Sequence, residues 1–273
     1  MKTRNFHYIL PSMIGVILFY LLPLIWTVFS SFNTKEIGFS NYQNVFTNDA
    51  FRLAMKNSFK FIIVCVPLLL FSSLMFSLMI FKRTDKISLF LKSISLLPFA
   101  VPVSTIVVVW KSIFNESGFL NIFLFYFGIE SIDWLNSEYS FFVLVFTYIW
   151  KNMGYTAIIW LAGLNAIPEA QHEAAKIDGA SPLQAFLFVS LPNLKQISVL
   201  LVILSTLNSF KVFREIYLIG GDYPDQSIYM LQHLLNNWFR DLNISNIAVV
   251  GTLMGVFLSI IILLLFKFMN GDE

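Results

Sequence analysis

Apolar residues along this chain gather into long uncharged runs instead of short amphipathic stripes. No charged residue occurs in 8–34, in 61–81 or in 93–110, the last opened by Pro98 and Pro102. The run 139–168 is broken only by Lys151. A shorter run, 196–210, extends backwards because 180–194 is also uncharged, and 242–266 closes the series. A bilayer core about 30 Å thick needs roughly 20 apolar residues of helix. The pattern therefore predicts an all-α membrane protein, one transmembrane domain over 1–273, with six transmembrane helices near 8–32, 61–81, 93–114, 139–164, 186–210 and 242–268. The first run follows Lys2, Arg4 and His7. Its apolar stretch is too long for a secretory signal peptide and lacks a clean small-residue cleavage site, so a retained anchor is expected.

Composition agrees with a chain whose solvent is largely lipid. Of 273 residues, 57% are hydrophobic and 12% charged, against about 25% charged in soluble domains. Mean hydropathy is +0.74. A soluble surface could not be built from so few charges. Net charge is +2, so neither a nucleic-acid binder nor a strongly acidic surface is indicated. Cys65 is the single cysteine and carries no disulfide argument. With the N-terminus inside, nine Lys and Arg fall inside and eight outside, close to a tie. The short loops decide it: 82–92 holds four basic residues, Lys82, Arg83, Lys86 and Lys92, whereas 111–138 holds one basic and four acidic. Both termini are expected in the cytoplasm.

The most informative stretch is 167–192, IPEAQHEAAKIDGASPLQAFLFVSLP. Pro168 and Glu169 suit the first turn of a helix. Ala170, Ala174 and Ile177 then fall at i, i+4 and i+7 on one small apolar face. Gly179 stands where a left-handed cap would end that helix. Ser181, Pro182 and Gln184 spell a capping box for a second helix, and Pro192 should bend the chain near the fifth span. Such a face suits insertion into a partner's groove, with Glu173, Lys176 and Asp178 at the rim. The alternative is an amphipathic connector on the headgroups, though the stretch has no Trp and one Lys.

Glu173-Ala174-Ala175, then Gly179 after three residues, then Val189-Ser190-Leu191-Pro192 after nine more, resembles the EAA loop. That loop marks the membrane permeases of binding-protein-dependent ABC importers; Val189 stands where isoleucine is usual. Ile167-Pro168, Ile177-Asp178-Gly179-Ala180, Phe186 and Ser209-Phe210-Lys211-Val212-Phe213 are similar to the carbohydrate branch, the maltose and glycerol-phosphate type. Gly220-Gly221-Asp222-Tyr223-Pro224 departs from the usual Gly-Gly-Pro, and His172 replaces a frequent tyrosine. The resemblance is close over 152–261 and loose elsewhere.

It implies a cytoplasmic loop whose first helix couples to an ATPase, with Glu173, Ala174, Ala175, Asp178 and Gly179 as coupling residues. It further implies a second homologous permease, an ATPase dimer that binds the ATP and Mg, an extracytoplasmic solute-binding protein, and a sugar as solute. ATP-driven closure would draw the coupling helices together and open the cavity outward; hydrolysis would reset it. The location would be a bacterial cytoplasmic membrane. No cofactor is expected in this chain itself. No Gly is followed by Lys, so no phosphate loop is present; His7, His172 and His233 are dispersed, and no nucleophile elbow is found. An enzyme is not expected.

Intramembrane polar groups are the candidates for a solute path. Lys151 lies roughly 18 Å along the fourth run from Tyr139 at 1.5 Å per residue, and Tyr148, Asn152, Tyr155 and Ile159 share a helical face. Lys151 serves either the path or the bundle. Ser205, Asn208, Ser209 and Lys211 form a second group, and the family's solute cavity favours Asn208 and Ser209. Phe213, Tyr217 and Trp150 would offer rings to a sugar. The rival solutes are an amino acid, an opine or a polyamine. The rival class is an ion-coupled secondary carrier, against which no inverted repeat is visible.

Overall fold

The computed structural model describes residues 6–32, 38–81, 83 and 85–270. Lys2, Arg4, Lys35 and Lys82, used above in the charge balance, lie outside them. Among the described residues all regular structure is helical. Five helices are long and apolar enough to cross a bilayer, and a bent pair gives a sixth crossing if counted as one span.

The chain divides into two compact units. One joins the residues up to Ala54 with Leu234–Leu263; the other holds Met55–His233 and the residues from Leu264 onward. In the first unit, Ile9–Phe32 is a span none of whose most apolar window is buried. Phe19, Tyr20, Trp26 and Phe29 all stand exposed on it, as suits lipid contact. Its end is fixed by polar bonds: Ser31 Oγ and Tyr42 Oη lie 2.8 Å apart, and Asn41 Nδ2 donates to the Ser31 carbonyl at 3.1 Å. The last helix, Ile244–Asn270, approaches the first span at Gly251, whose missing Cβ would lie 3.6 Å from Thr27 Cγ2.

The second unit carries the candidate sites. The helix Asp49–Ile80, most of which, from Met55 on, belongs to this unit, begins twelve residues before the expected 61. The sequence concealed those turns because they are charged, but Arg52, Lys56 and Lys60 recur every four residues and all three face outward. The opposite face buries Asn57 and Ser58. Asn57 Nδ2 donates to the Gln226 and Tyr229 carbonyls at 2.6 and 2.9 Å, and Ser58 Oγ accepts from Leu231 N at 3.0 Å.

The third crossing is not the single helix expected over 93–114. Lys86–Ala100 ends, and Val103 starts a new helix bent 97° away. Pro102 lacks an N–H and excludes the preceding residue from the helical region; Val101 is accordingly extended, with ψ 133°. Lys86–Ala100 packs on Ser140–Ala166 so closely that a Cβ on Gly154 would lie 1.9 Å from the Ser95 carbonyl oxygen. Only hydrogen fits there, the small-residue device that lets membrane helices touch backbone to backbone. Deeper along Ser140–Ala166, Trp160 Nε1 donates to Ser73 Oγ at 3.2 Å within a cluster with Leu164 and Leu201.

The fifth span also differs from 186–210: it runs Lys195–Gly220. The preceding uncharged residues form separate turns, Pro182–Ala185, a π-type turn Phe186–Ser190 and Leu191–Asn193, and the break falls at Leu194, two residues beyond Pro192. Past Ser209 the helix tightens into a 3-10 turn over Phe210–Val212 and continues to Gly220, where Gly221 with φ 72° turns the chain.

Candidate coupling helix and transmembrane cavity

Two features of the second unit concern function. The first is Glu169–Ile177, a helix with no buried residue, set between the spans Ser140–Ala166 and Lys195–Gly220. Its C-terminal end is built as the sequence predicts, whereas Pro168 stands just outside the first turn, with ψ 130° and no capping side chain. Gly179 has φ +78°; its N–H donates to the Lys176 carbonyl at 3.2 Å, and Ala180 N–H to the Ala175 carbonyl at 2.9 Å. This is the Schellman arrangement, in which a left-handed residue lets the chain reverse and satisfies the last carbonyls. Ser181 then caps the next helix reciprocally with Gln184, at 3.3 Å from Gln184 N to Ser181 Oγ and 2.8 Å from Ser181 N to Gln184 Oε1. Asn193 Nδ2 donates to Gln171 Oε1 at 2.9 Å and ties the two arms. Glu173, Ala174, Asp178 and Gly179 are exposed, Ala175 half-buried, and Ile177 is 86% exposed.

The second feature is a cavity of about 600 Å³, within the size range of small-molecule sites. One wall is a single face of Ser140–Ala166: Tyr148, Lys151, Asn152 and Tyr155, spaced three and four residues apart. The facing wall comes from Lys195–Gly220, with Asn208, Lys211, Phe213, Arg214 and Glu215, while Phe99 and Gln232 contribute from elsewhere. Lys151 Nζ meets Glu215 Oε1 at 2.5 Å, the two side chains 16% and 8% exposed. Glu215 Oε2 and Gln232 Oε1 are buried without a hydrogen-bond partner. Phe99 and Tyr155 stack in parallel, centroids 4.9 Å apart and planes 9° from parallel. Phe213 sets its ring against both Tyr217 and His233.

Of the residues singled out from the sequence, Tyr148, Lys151, Asn152, Tyr155, Asn208, Lys211 and Phe213 come together at this cavity. The others stand apart from it. Ser205 is buried, and its carbonyl accepts from Tyr148 Oη at 2.9 Å. Ser209 lines a small separate recess, its hydroxyl donating to the Thr206 carbonyl at 2.6 Å. Tyr217 and Trp150 are partly exposed, the latter against Trp110. Lys151 is paired with Glu215 within the bundle and also lines the cavity. Glu215, Arg214 and Gln232 were not anticipated. One signal for Glu215 was present, since an intramembrane lysine calls for a counterion and Glu215 is the only acid in 195–220.

His233, behind Phe213, is fully buried, and both ring nitrogens lack partners. Burial pushes its imidazole down to about 4, and the Asp222 carboxylate opposes that only in part.

Residues 69–271 match the family described as the binding-protein-dependent transport system inner membrane component. The trehalose/maltose transport system permease protein MalF of Thermococcus litoralis is 31% identical over 242 residues, 85% of this chain and 82% of the relative. The arabinooligosaccharides transport system permease protein AraP of Bacillus subtilis is 29% identical over 235 residues, 80% and 72% of the two chains. Among solved structures, a chain of a bacterial ABC transporter that imports the acidic polysaccharide alginate superposes with a TM-score of 0.84 at 21% identity, over 97% of this chain and 95% of the other. Such a likeness speaks for the fold. The family match covers most of the chain, and the helices crossing the bilayer agree with it. The protein is a multi-pass membrane permease and belongs to the inner membrane components of binding-protein-dependent transport systems.

Proposed function

We propose that this permease passes a saccharide, handed over by an extracytoplasmic binding protein, and is driven through Glu169–Ile177 by a separate ATPase dimer that holds the ATP and Mg. A second, related permease completes the pathway, and both termini lie in the cytoplasm of a bacterial cell. The observation that carries this reading is the capped helix itself: it buries nothing, and it leaves Ile177 bare between two spans. Glu173, Ala174, Ala175, Asp178 and Gly179 are assigned to that contact. For the solute, the support comes from the relatives named for trehalose/maltose and arabinooligosaccharides and from the cavity. Its rings offer apolar faces to sugar C–H groups, and Glu215 Oε2 and Gln232 Oε1 are acceptors at its wall still lacking donors, which hydroxyls supply. Lys151, Asn152, Tyr155, Asn208 and Phe213 are assigned to the path, with Ser205, Ser209 and Tyr217 as a supporting layer behind it.

The test is purification of the tagged chain from its native membranes in mild detergent, with partners identified by mass. A phosphate-loop ATPase and a second permease are expected to co-purify, and the ATPase to be lost from Glu173→Ala. Recovery of the folded chain without any ATPase would refute the coupling role.

A further inference from the structure

The charges around the cavity do not balance. Four charged side chains line it: Lys151, Lys211, Arg214 and Glu215. Lys151 and Glu215 cancel one another as an ion pair. Lys211 and Arg214 stand three residues apart where Lys195–Gly220 passes through its 3-10 turn, and both are exposed. Lys211 Nζ reaches only the neutral amide oxygen of Asn208, at 3.3 Å. Among the described residues no carboxylate forms an ion pair with either cation. Two positive charges at the cavity thus have no carboxylate partner among the described residues, in a concave wall otherwise made of rings, amides and aliphatic groups. Low-dielectric concave walls focus such a field on whatever enters. A neutral sugar gains only the hydrogen bonds its hydroxyl oxygens accept from these cations, whereas an anionic group adds charge attraction and meets an ammonium and a guanidinium fork that matches carboxylate or phosphate oxygens.

We propose that the solute is an anionic saccharide, its sugar rings placed against Phe99, Tyr155 and Phe213 and its carboxylate or phosphate passing Lys211 and Arg214. This rests on the saccharide reading above and narrows it. The shared chemistry is an oxyanion on a sugar: a uronic acid unit and a sugar phosphate are its two sources.

The experiment uses the whole transporter, with its partner permease, ATPase and binding protein, reconstituted in proteoliposomes. ATP-dependent uptake is measured for labelled digalacturonate, for glucose 6-phosphate and for the neutral sugars maltotriose and arabinotriose. Uptake of one anionic probe is expected, and which of the two is carried tells carboxylate from phosphate. The double variant K211Q/R214Q is expected to lower its uptake at subsaturating concentration by roughly tenfold or more, about what two solvent-exposed charge contacts supply. The charge-keeping K211R/R214K should retain uptake, which separates lost charge from misfolding. Efficient uptake of a neutral trisaccharide, indifferent to K211Q/R214Q, would overturn the inference while leaving a sugar importer in place. An anionic probe carried equally well by K211Q/R214Q would also overturn it. ATP-driven uptake of none of the sugars would overturn both readings.

Discussion

At the scale of single residues, the Lys151–Glu215 pair sets the terms on which the cavity exists. A buried ion pair is weak evidence for stability, because desolvating both charges consumes much of their attraction; removing one partner is a different matter. Lys151→Met leaves Glu215, 8% exposed and with Oε2 already unpartnered, as a lone buried carboxylate. A loss of about 3 kcal/mol or more is expected for that variant. K151M/E215L should recover most of it, since no charge is then stranded. Thermal midpoints in one detergent separate the cases: a double variant no more stable than Lys151→Met would mean the pair is not the source of the loss. His233 gives a pH signature instead. Unfolded, its imidazole titrates near 6.5; folded, it stays neutral down to about 4. Between those values the unfolded chain binds a proton that the folded chain refuses. Stability is therefore full above pH 6.5 and falls as pH drops through the window, by at most roughly 3 kcal/mol. His233→Gln should flatten that part of the thermal-midpoint profile, and an unchanged slope would assign the acid sensitivity elsewhere.

At the scale of elements, the coupling role proposed for the loop between the fourth and fifth spans needs a rigid turn, and the C-terminal end of its helix is locked by the Gly179 turn. Gly179 holds φ +78° with no atom within 4 Å of where a Cβ would sit, so the cost of a side chain there is conformational alone. Gly179→Ala should cost about 1 kcal/mol, and Gly179→Asn less, because asparagine tolerates the left-handed region. The folded transporter should survive both changes, while solute-stimulated ATPase falls in the order Gly, Asn, Ala. Equal stimulation in all three would mean that the turn's geometry does not transmit force. This loop was legible before any coordinates because its signals are local: a glycine after the last helical turn and a Ser-Pro-x-Gln box act within five residues of themselves. Elsewhere local signals misled. Hydropathy reads composition and ignores backbone, so 93–114 looked like one helix although Pro102 splits it. Charge hid the first turns of Asp49–Ile80, where only the four-residue recurrence of Arg52, Lys56 and Lys60 shows that one face is apolar. The cavity was half legible for a related reason. Tyr148, Lys151, Asn152 and Tyr155 share one helix and could be read as a face, but Glu215 sits 64 residues from its lysine, and no periodicity reports such a meeting.

At the scale of the whole molecule, coupling demands that the exposed loop helix and the far end of the fifth span lie on opposite sides of the membrane. Lys195–Gly220 is a 26-residue helix of high hydropathy, long enough at 1.5 Å per residue to cross the roughly 30 Å core with room for tilt. Ile177, before it, is 86% exposed, and Tyr223, after it, 78%. The chain suits a direct test, since its one cysteine, Cys65, is fully buried and should not react with a membrane-impermeant maleimide. Ile177→Cys should then label only in inside-out vesicles and Tyr223→Cys only in right-side-out ones, against an unlabelled parent protein. Labelling of Ile177→Cys should also be slowed in membranes that hold the assembled ATPase and restored when the ATPase is stripped away. If both cysteines react from one side, Lys195–Gly220 does not cross, and a helix on that side cannot pass a stroke to a cavity opening on the other. If they react from opposite sides but Ile177→Cys is never protected, the crossing stands and the partner's seat lies on another surface of the loop, away from the aliphatic end that Ile177 leaves bare.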